Sequence, residues 1–140
     1  MRHRRTGQRG QGIVESSIAM SLLLVVLVGT VDLGRAIYQY NGVAEAAREI
    51  ARATSVHPGE DSLGDSAEAL AVVATQRGLV PALSSPTYAC VDIAGTAIAG
   101  TCHPGSWVRV TVTSRFDPVL PLLMPFAPFV LTSAGAAEIQ

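Results

Sequence analysis

The sequence predicts an α+β protein: a long N-terminal helix that crosses a membrane and continues beyond it, a second helix, and a small antiparallel sheet. Three observations lead there. Residues 13–31 form an almost unbroken apolar run behind a basic tail. Between Val31 and Ser55 apolar residues then recur at three- and four-residue steps, the period of a helix. After Ser85 the pattern changes to alternation, the period of a strand.

The tail, residues 1–10, carries Arg2, Arg4, Arg5 and Arg9 and no acid. Four arginines without interleaved aromatics make a poor nucleic-acid surface, and no nucleic-acid partner is expected. Before an apolar run they read as an orientation signal that holds the N-terminus in the cytoplasm. From Ile13 to Val31 the only interruptions are Glu15, three serines and Thr30, apart from glycine. A helix of that length rises about 28 Å, close to the roughly 30 Å of a hydrocarbon core. The whole chain is 49% hydrophobic and 15% charged, against about 25% charged in an ordinary soluble domain. A cleaved secretory signal would show small residues in an A-x-A pattern after the run; "VGTVDLGRA" places Asp32 and Arg35 there instead. The expected topology is a single pass through the cytoplasmic (inner) membrane, N-terminus inside and the remainder outside.

Beyond the span, Ile37, Tyr40, Ala44, Ala47, Ala51 and Thr54 predict the apolar side of a helical stalk. Arg35, Gln39, Glu45, Arg48, Glu49 and Arg52 take the other side, with Glu45–Arg48 and Glu49–Arg52 as supporting i,i+3 pairs. Gly34 and Gly42 read equally as bends, as close-approach points or as tolerated residues. "SVHPGEDSLGD" is a loop. Asp61 or Ser62 is the expected cap of a second helix that runs to about Arg77, with Gly78 as its stop and Pro81 just beyond. "TYACVDI" aligns Thr87, Ala89, Val91 and Ile93 on one side, and "WVRVTVT" sets Val108, Val110 and Val112 against Trp107, Arg109 and Thr111. "FVLTSAGAAEI" is the expected last strand. Between the last two strands, "FDPVLPLLMPFAPFV" holds four prolines in an apolar run, which excludes a regular helix or a central strand. It reads as a connection packed over the core, or as an exposed patch for a partner or the membrane surface.

The two cysteines, Cys90 and Cys102, predict one disulfide outside the cytoplasm rather than a metal or redox site. No catalytic arrangement is legible. His3 lies in the tail, His57 and His103 stand in turn-like contexts, and "GEDSLGD" lacks the spacing of a calcium loop. Neither an enzyme nor a metal, cofactor or small-molecule site is expected.

One carboxylate remains, Glu15. Snorkelling to the headgroups, or a favourable charge in the first helical turn, would account for its tolerance, but neither reading explains the neighbouring glycines. Glu15 stands where hydrocarbon would begin, and "GQGIVES" places it fifth after Gly10. This spacing resembles the prepilin peptidase site of type IV pilin-like proteins, in which cleavage follows a glycine and glutamate is the fifth mature residue. The block "RGQGIVESSIAMSLLLVVLVGTVDLGRAIYQYNGVAEAAREIARA" is similar to the TadE/TadG-like minor pilins of the Tad (Flp) pilus system, through Gly10, Gln11, Glu15, the apolar span, Asp32-x-Gly34-Arg35 and the alanine-rich stalk. Ser16 departs from the pattern, because an aromatic often follows the glutamate in such proteins. The resemblance implies a pilin-like minor pilin or pseudopilin acting in pilus assembly, matured between Gly10 and Gln11. It implies that Glu15 pairs with the N-terminal amine of a neighbouring subunit, with Asp32, Gly34 and Arg35 as further assembly residues. The implied partners are the membrane, the prepilin peptidase, other pilin subunits and the pilus assembly machinery. The expected organisation is a leader over residues 1–10, a transmembrane helix over 11–32, its amphipathic continuation over 33–55 and an exported α+β domain over 56–140. The rival reading is a signal-anchored exported binding domain unrelated to pili; only the pilin reading requires Gly10 and Glu15.

Overall fold

A computed structural model describes residues 8–59, 62–99, 102–119 and 128–140. Span and stalk are one helix, α1, Gln8–Val56, of 49 residues, which is about 73 Å long at 1.5 Å per residue. A second helix, α2, covers Ala67–Leu79. Three strands follow: β1, Thr87–Val91; β2, Trp107–Phe116; and β3, Phe129–Glu138. They form an antiparallel meander in the order β1-β2-β3, and the α+β expectation holds.

The head is a sheet packed on the second half of α1. Val43, Ala46, Ala47, Ile50, Ala51 and Thr54 are buried, at spacings of three and four that make one helical face. Opposite them, Val108, Val110, Val112, Ser114 and Phe116 are buried on alternate positions of β2. Each valine contributes about 1.5–3 kcal/mol by leaving water. Helix and sheet approach closely because both surfaces are small where they meet. A Cβ on Gly135 of β3 would lie 2.5 Å from the carbonyl oxygen of Ala47, well inside van der Waals contact. Gly42 serves the same purpose on another side of α1, since a Cβ there would stand 3.2 Å from Cγ2 of Val80.

The helix bounds and faces differ in detail from the sequence expectation. Helix α2 starts later, capped by Ser66, whose hydroxyl oxygen accepts from the Ala69 amide at 3.2 Å. Ser62 instead lies in a turn whose Gly64 has φ +81°, a conformation that stops a helix from starting there; Asp61 lies outside the described residues. Gly78 does not end the helix, which runs on to Leu79 before Pro81. In the stalk, Ile37 and Tyr40 are exposed, because at this level α1 meets the head through Asp32, Arg35 and Gln39 instead. In β1 the inward residues are Tyr88 and Cys90, while Thr87 and Ala89 are exposed. Ile93 falls in the turn after the strand and is exposed. Val91 is buried from the other side, where Ala97 folds back to bridge it.

The connections sort to the two ends of the head. Helix α2 runs antiparallel to α1: its cap Ser66 donates to the carbonyl of His57 at 2.7 Å, while Pro81, past its far end, accepts from the Gln39 amide at 3.4 Å. The β1–β2 connection lies at the end away from the apolar span and carries the Cys90–Cys102 disulfide, Cα atoms 5.6 Å apart. The α2–β1 turn and both ends of the β2–β3 connection lie at the other end, beside residues 32–39 of α1. The proline-rich stretch falls largely on residues 120–127, outside the described residues.

Candidate functional site

The sequence-predicted site residues occupy the first half of α1. Gly10 to Leu27 are exposed along the whole helix circumference, including Ile13, Leu22, Leu23 and Val26. The most apolar window has a mean hydropathy of 2.1, none of it buried against the head. A helix that is apolar all round and bare of protein is what a membrane span looks like when its lipid is removed. The helix is long and apolar enough to cross a membrane once.

The polar residues in the run divide into two kinds. Ser17, Ser21 and Thr30 each donate to the carbonyl four residues back, at 2.8 Å, and Ser16 does the same to Gly12. These hydroxyls satisfy themselves on their own backbone, which is how they enter hydrocarbon at little cost. Glu15 has no such outlet. It is exposed and makes no hydrogen bond or ion pair among the described residues. A carboxylate needs a donor or water, and a helix backbone past its first turn offers no free amide.

Gly10 and Gln11 are exposed and helical, the helix beginning at Gln8. A Cβ at Gly10, Gly12 or Gly34 would meet nothing within 4 Å. Packing within the chain therefore does not demand glycine there. The two at 10 and 12 lower local helix propensity by about 1 kcal/mol each, which makes the intervening peptide bonds easier to unwind.

Asp32 and Arg35 lie at the other end of the run, and the structure brings them together within the chain. Asp32 is buried, 2% exposed. One carboxylate oxygen accepts from Arg35 at 2.9 Å and the other from the backbone amide of Val119 at 2.9 Å. The Arg35 guanidinium lies 5.5 Å over the ring of Phe116, which in turn packs on Phe129 at 5.1 Å. One turn on, the Gln39 amide donates to the Ser114 hydroxyl at 2.5 Å and to the Arg115 carbonyl at 3.0 Å. These residues clamp both ends of the β2–β3 connection to α1 just past the apolar run. Gly34 takes no part in this clamp, since a Cβ there would meet nothing within 4 Å. Sequence reasoning missed Gln39, Phe116 and Val119, since nothing local marks them; their partners lie some eighty residues away in the chain.

Among the described residues no group of three or more His, Cys, Asp or Glu could hold a metal ion. No curated protein and no solved structure matches this chain. Residues 10–52 match the model of the family described as TadE-like protein. The match opens at Gly10, takes in Glu15, the apolar run and the Asp32–Arg35 pair, and ends within the stalk before any strand begins. Over residues 10–52, less than a third of the chain, the sequence is similar to the TadE-like family.

Proposed function

We infer that the chain is a membrane-anchored minor pilin or pseudopilin that acts in assembly of a Tad/Flp-type pilus. It is the substrate of a prepilin peptidase, which cuts between Gly10 and Gln11, and it is not itself an enzyme. The observation that carries this reading is Glu15: among the described residues, the one polar side chain of the run, residues 13–31, without an internal partner, five residues past Gly10, in a segment that matches the TadE-like family. Cleavage would remove four arginines and create an α-amine at Gln11. That amine, on a neighbouring subunit, is a donor of the right charge for Glu15. In low dielectric neither charge is tolerated alone, so each subunit is driven to pair. The N-terminus then lies on the cytoplasmic face of the inner membrane and the head on the outer side.

The test has two parts. The mature N-terminus, read by mass spectrometry from a strain with active peptidase, should be Gln11, and Gly10→Arg should leave the chain uncut. Glu15→Gln should still insert and be processed, but should fail to co-purify with other pilin subunits from detergent-solubilised membranes. An intact Met1 terminus in the wild type would remove the maturation claim, and equal recovery of partner pilins by the Glu15→Gln variant would remove the assembly claim.

A further inference from the structure

We propose that the base of the head is a lipid-contact surface. Three separate elements there would sit in the outer interfacial layer of the bilayer, so that the head rests on the membrane instead of hanging from a tether. The proposal rests on the membrane-anchored reading of α1. Val31 closes the apolar run, and the interfacial layer beyond a hydrocarbon core is about 5–8 Å deep on each side. At 1.5 Å per residue, Leu33 stands about 3 Å past that edge and Tyr38 about 10 Å. The head begins inside this distance. Val119 is tied by its amide to Asp32, and Leu79 lines a cleft together with Val31, Gly34 and Tyr38.

What these elements expose there is apolar. Val31 is 61% exposed, Leu33 56%, Tyr38 80%, Leu79 68% and Val119 62%. They come from α1, from the last residue of α2 and from the connection after β2, three elements with no local reason to share a character. The backbone of Tyr38 lies about 2 Å past the interfacial layer by the same rise. Helical side chains, however, lean toward the helix N-terminus, here toward the bilayer, and tyrosine is an aromatic type enriched at membrane interfaces. The same level holds the guanidinium of Arg35, about half exposed, and the exposed pair Arg115–Asp117 at 3.2 Å. Arginine at this height is placed to donate to lipid phosphates, and the only carboxylate beside Arg35 among the described residues, Asp32, is sealed beneath it. The occupant is therefore lipid: large apolar groups at the hydrocarbon edge and guanidinium groups at phosphate height match a bilayer surface in order and spacing.

The test places a single tryptophan at chosen sites in the full chain, in a Trp107→Phe background, reconstituted at low protein density into liposomes of phosphatidylethanolamine and phosphatidylglycerol. Lipids brominated near the glycerol end of the acyl chain quench a tryptophan in the shallow interface. Val119→Trp and Leu79→Trp should lose most of their emission to these lipids. Ile93→Trp, at the opposite end of the head and 89% exposed, should lose almost none. Val25→Trp, within the span, should be quenched by lipids brominated deep in the chain. If Val25→Trp is quenched and the two base positions behave like Ile93→Trp, the lipid contact is wrong while the span stands. The lipid contact is equally wrong if the base positions show blue-shifted but unquenched emission, which means that protein covers them. If Val25→Trp is unquenched, the span itself fails and takes this proposal with it.

Discussion

Replacing Asp32 should detach the head from the helix where the apolar run ends, and the cost can be worked from its contacts. The carboxylate is buried, with one oxygen on Arg35 and one on the Val119 amide. Breaking one side of a fully buried ion pair costs about 3–5 kcal/mol. Arg35, however, keeps 49% of its side chain exposed; water recovers most of its charge, and the ion-pair share falls to about 1 kcal/mol. The bond from the Val119 amide is charge-assisted and contributes about 1.5–3 kcal/mol, since its loss strands a backbone donor. Asp32→Ala should therefore cost about 3 kcal/mol. Asp32→Asn, which keeps the shape and one carbonyl acceptor, should cost about half as much. The assay is equilibrium urea unfolding of the full chain in mild detergent, followed by Trp107 fluorescence, with hydrogen exchange at the Val119 amide read in parallel. Exchange at Val119 should speed up in both variants, and more in Asp32→Ala. Stabilities within about 0.5 kcal/mol of wild type, the ordinary scatter of surface substitutions, together with unchanged Val119 exchange, would show that the clamp does not bear on the fold.

Three further substitutions and one reduction have expected outcomes. Gly135→Ala should force the helix off the sheet, because its Cβ would meet the Ala47 carbonyl at 2.5 Å, and should cost about 1–3 kcal/mol as an overpacked core does. Gly34→Ala, facing open space, should instead leave stability unchanged or raise it by up to about 1 kcal/mol in the same urea titration. Reduction of Cys90–Cys102, which closes a loop of sequence separation 12, should lower stability by about 3 kcal/mol; equal midpoints with and without reductant would count against the staple. Burial raises the Tyr88 phenol above its ordinary 10.0, partly offset by the Thr54 hydroxyl and the Arg77 guanidinium. A raised folded value favours the protonated form in the fold, so this contribution is complete below about pH 10 and is lost as pH rises through the folded value. Tyr88→Phe should lack that alkaline loss when unfolding midpoints are compared across the range; identical alkaline slopes in both proteins would refute the assignment.

The sequence by itself determined the elements whose signals are local. The 3.6-residue period of the stalk, the apolar run and the alternation through Val108, Val110 and Val112 each reflect a single element's exposure to one environment, and each was legible without a partner in view. Glu15 was legible for the same reason: it violates its own neighbourhood, and the Gly10 spacing sits within a few residues. The pairing of Cys90 with Cys102 needed only a count of two. Tertiary structure decided what depends on who faces whom. Periodicity placed Ile37 and Tyr40 on the apolar side of the stalk, yet they are exposed, because the far end of β2 meets α1 through Asp32, Arg35 and Gln39, a choice of face that depends on residues some eighty positions away. Asp32 and Arg35 stood out as a motif, but only the fold shows the carboxylate turned inward to hold Val119, a residue 87 positions away. A buried charge takes its meaning from its donor, and a donor so distant leaves no trace in the local pattern that a sequence displays.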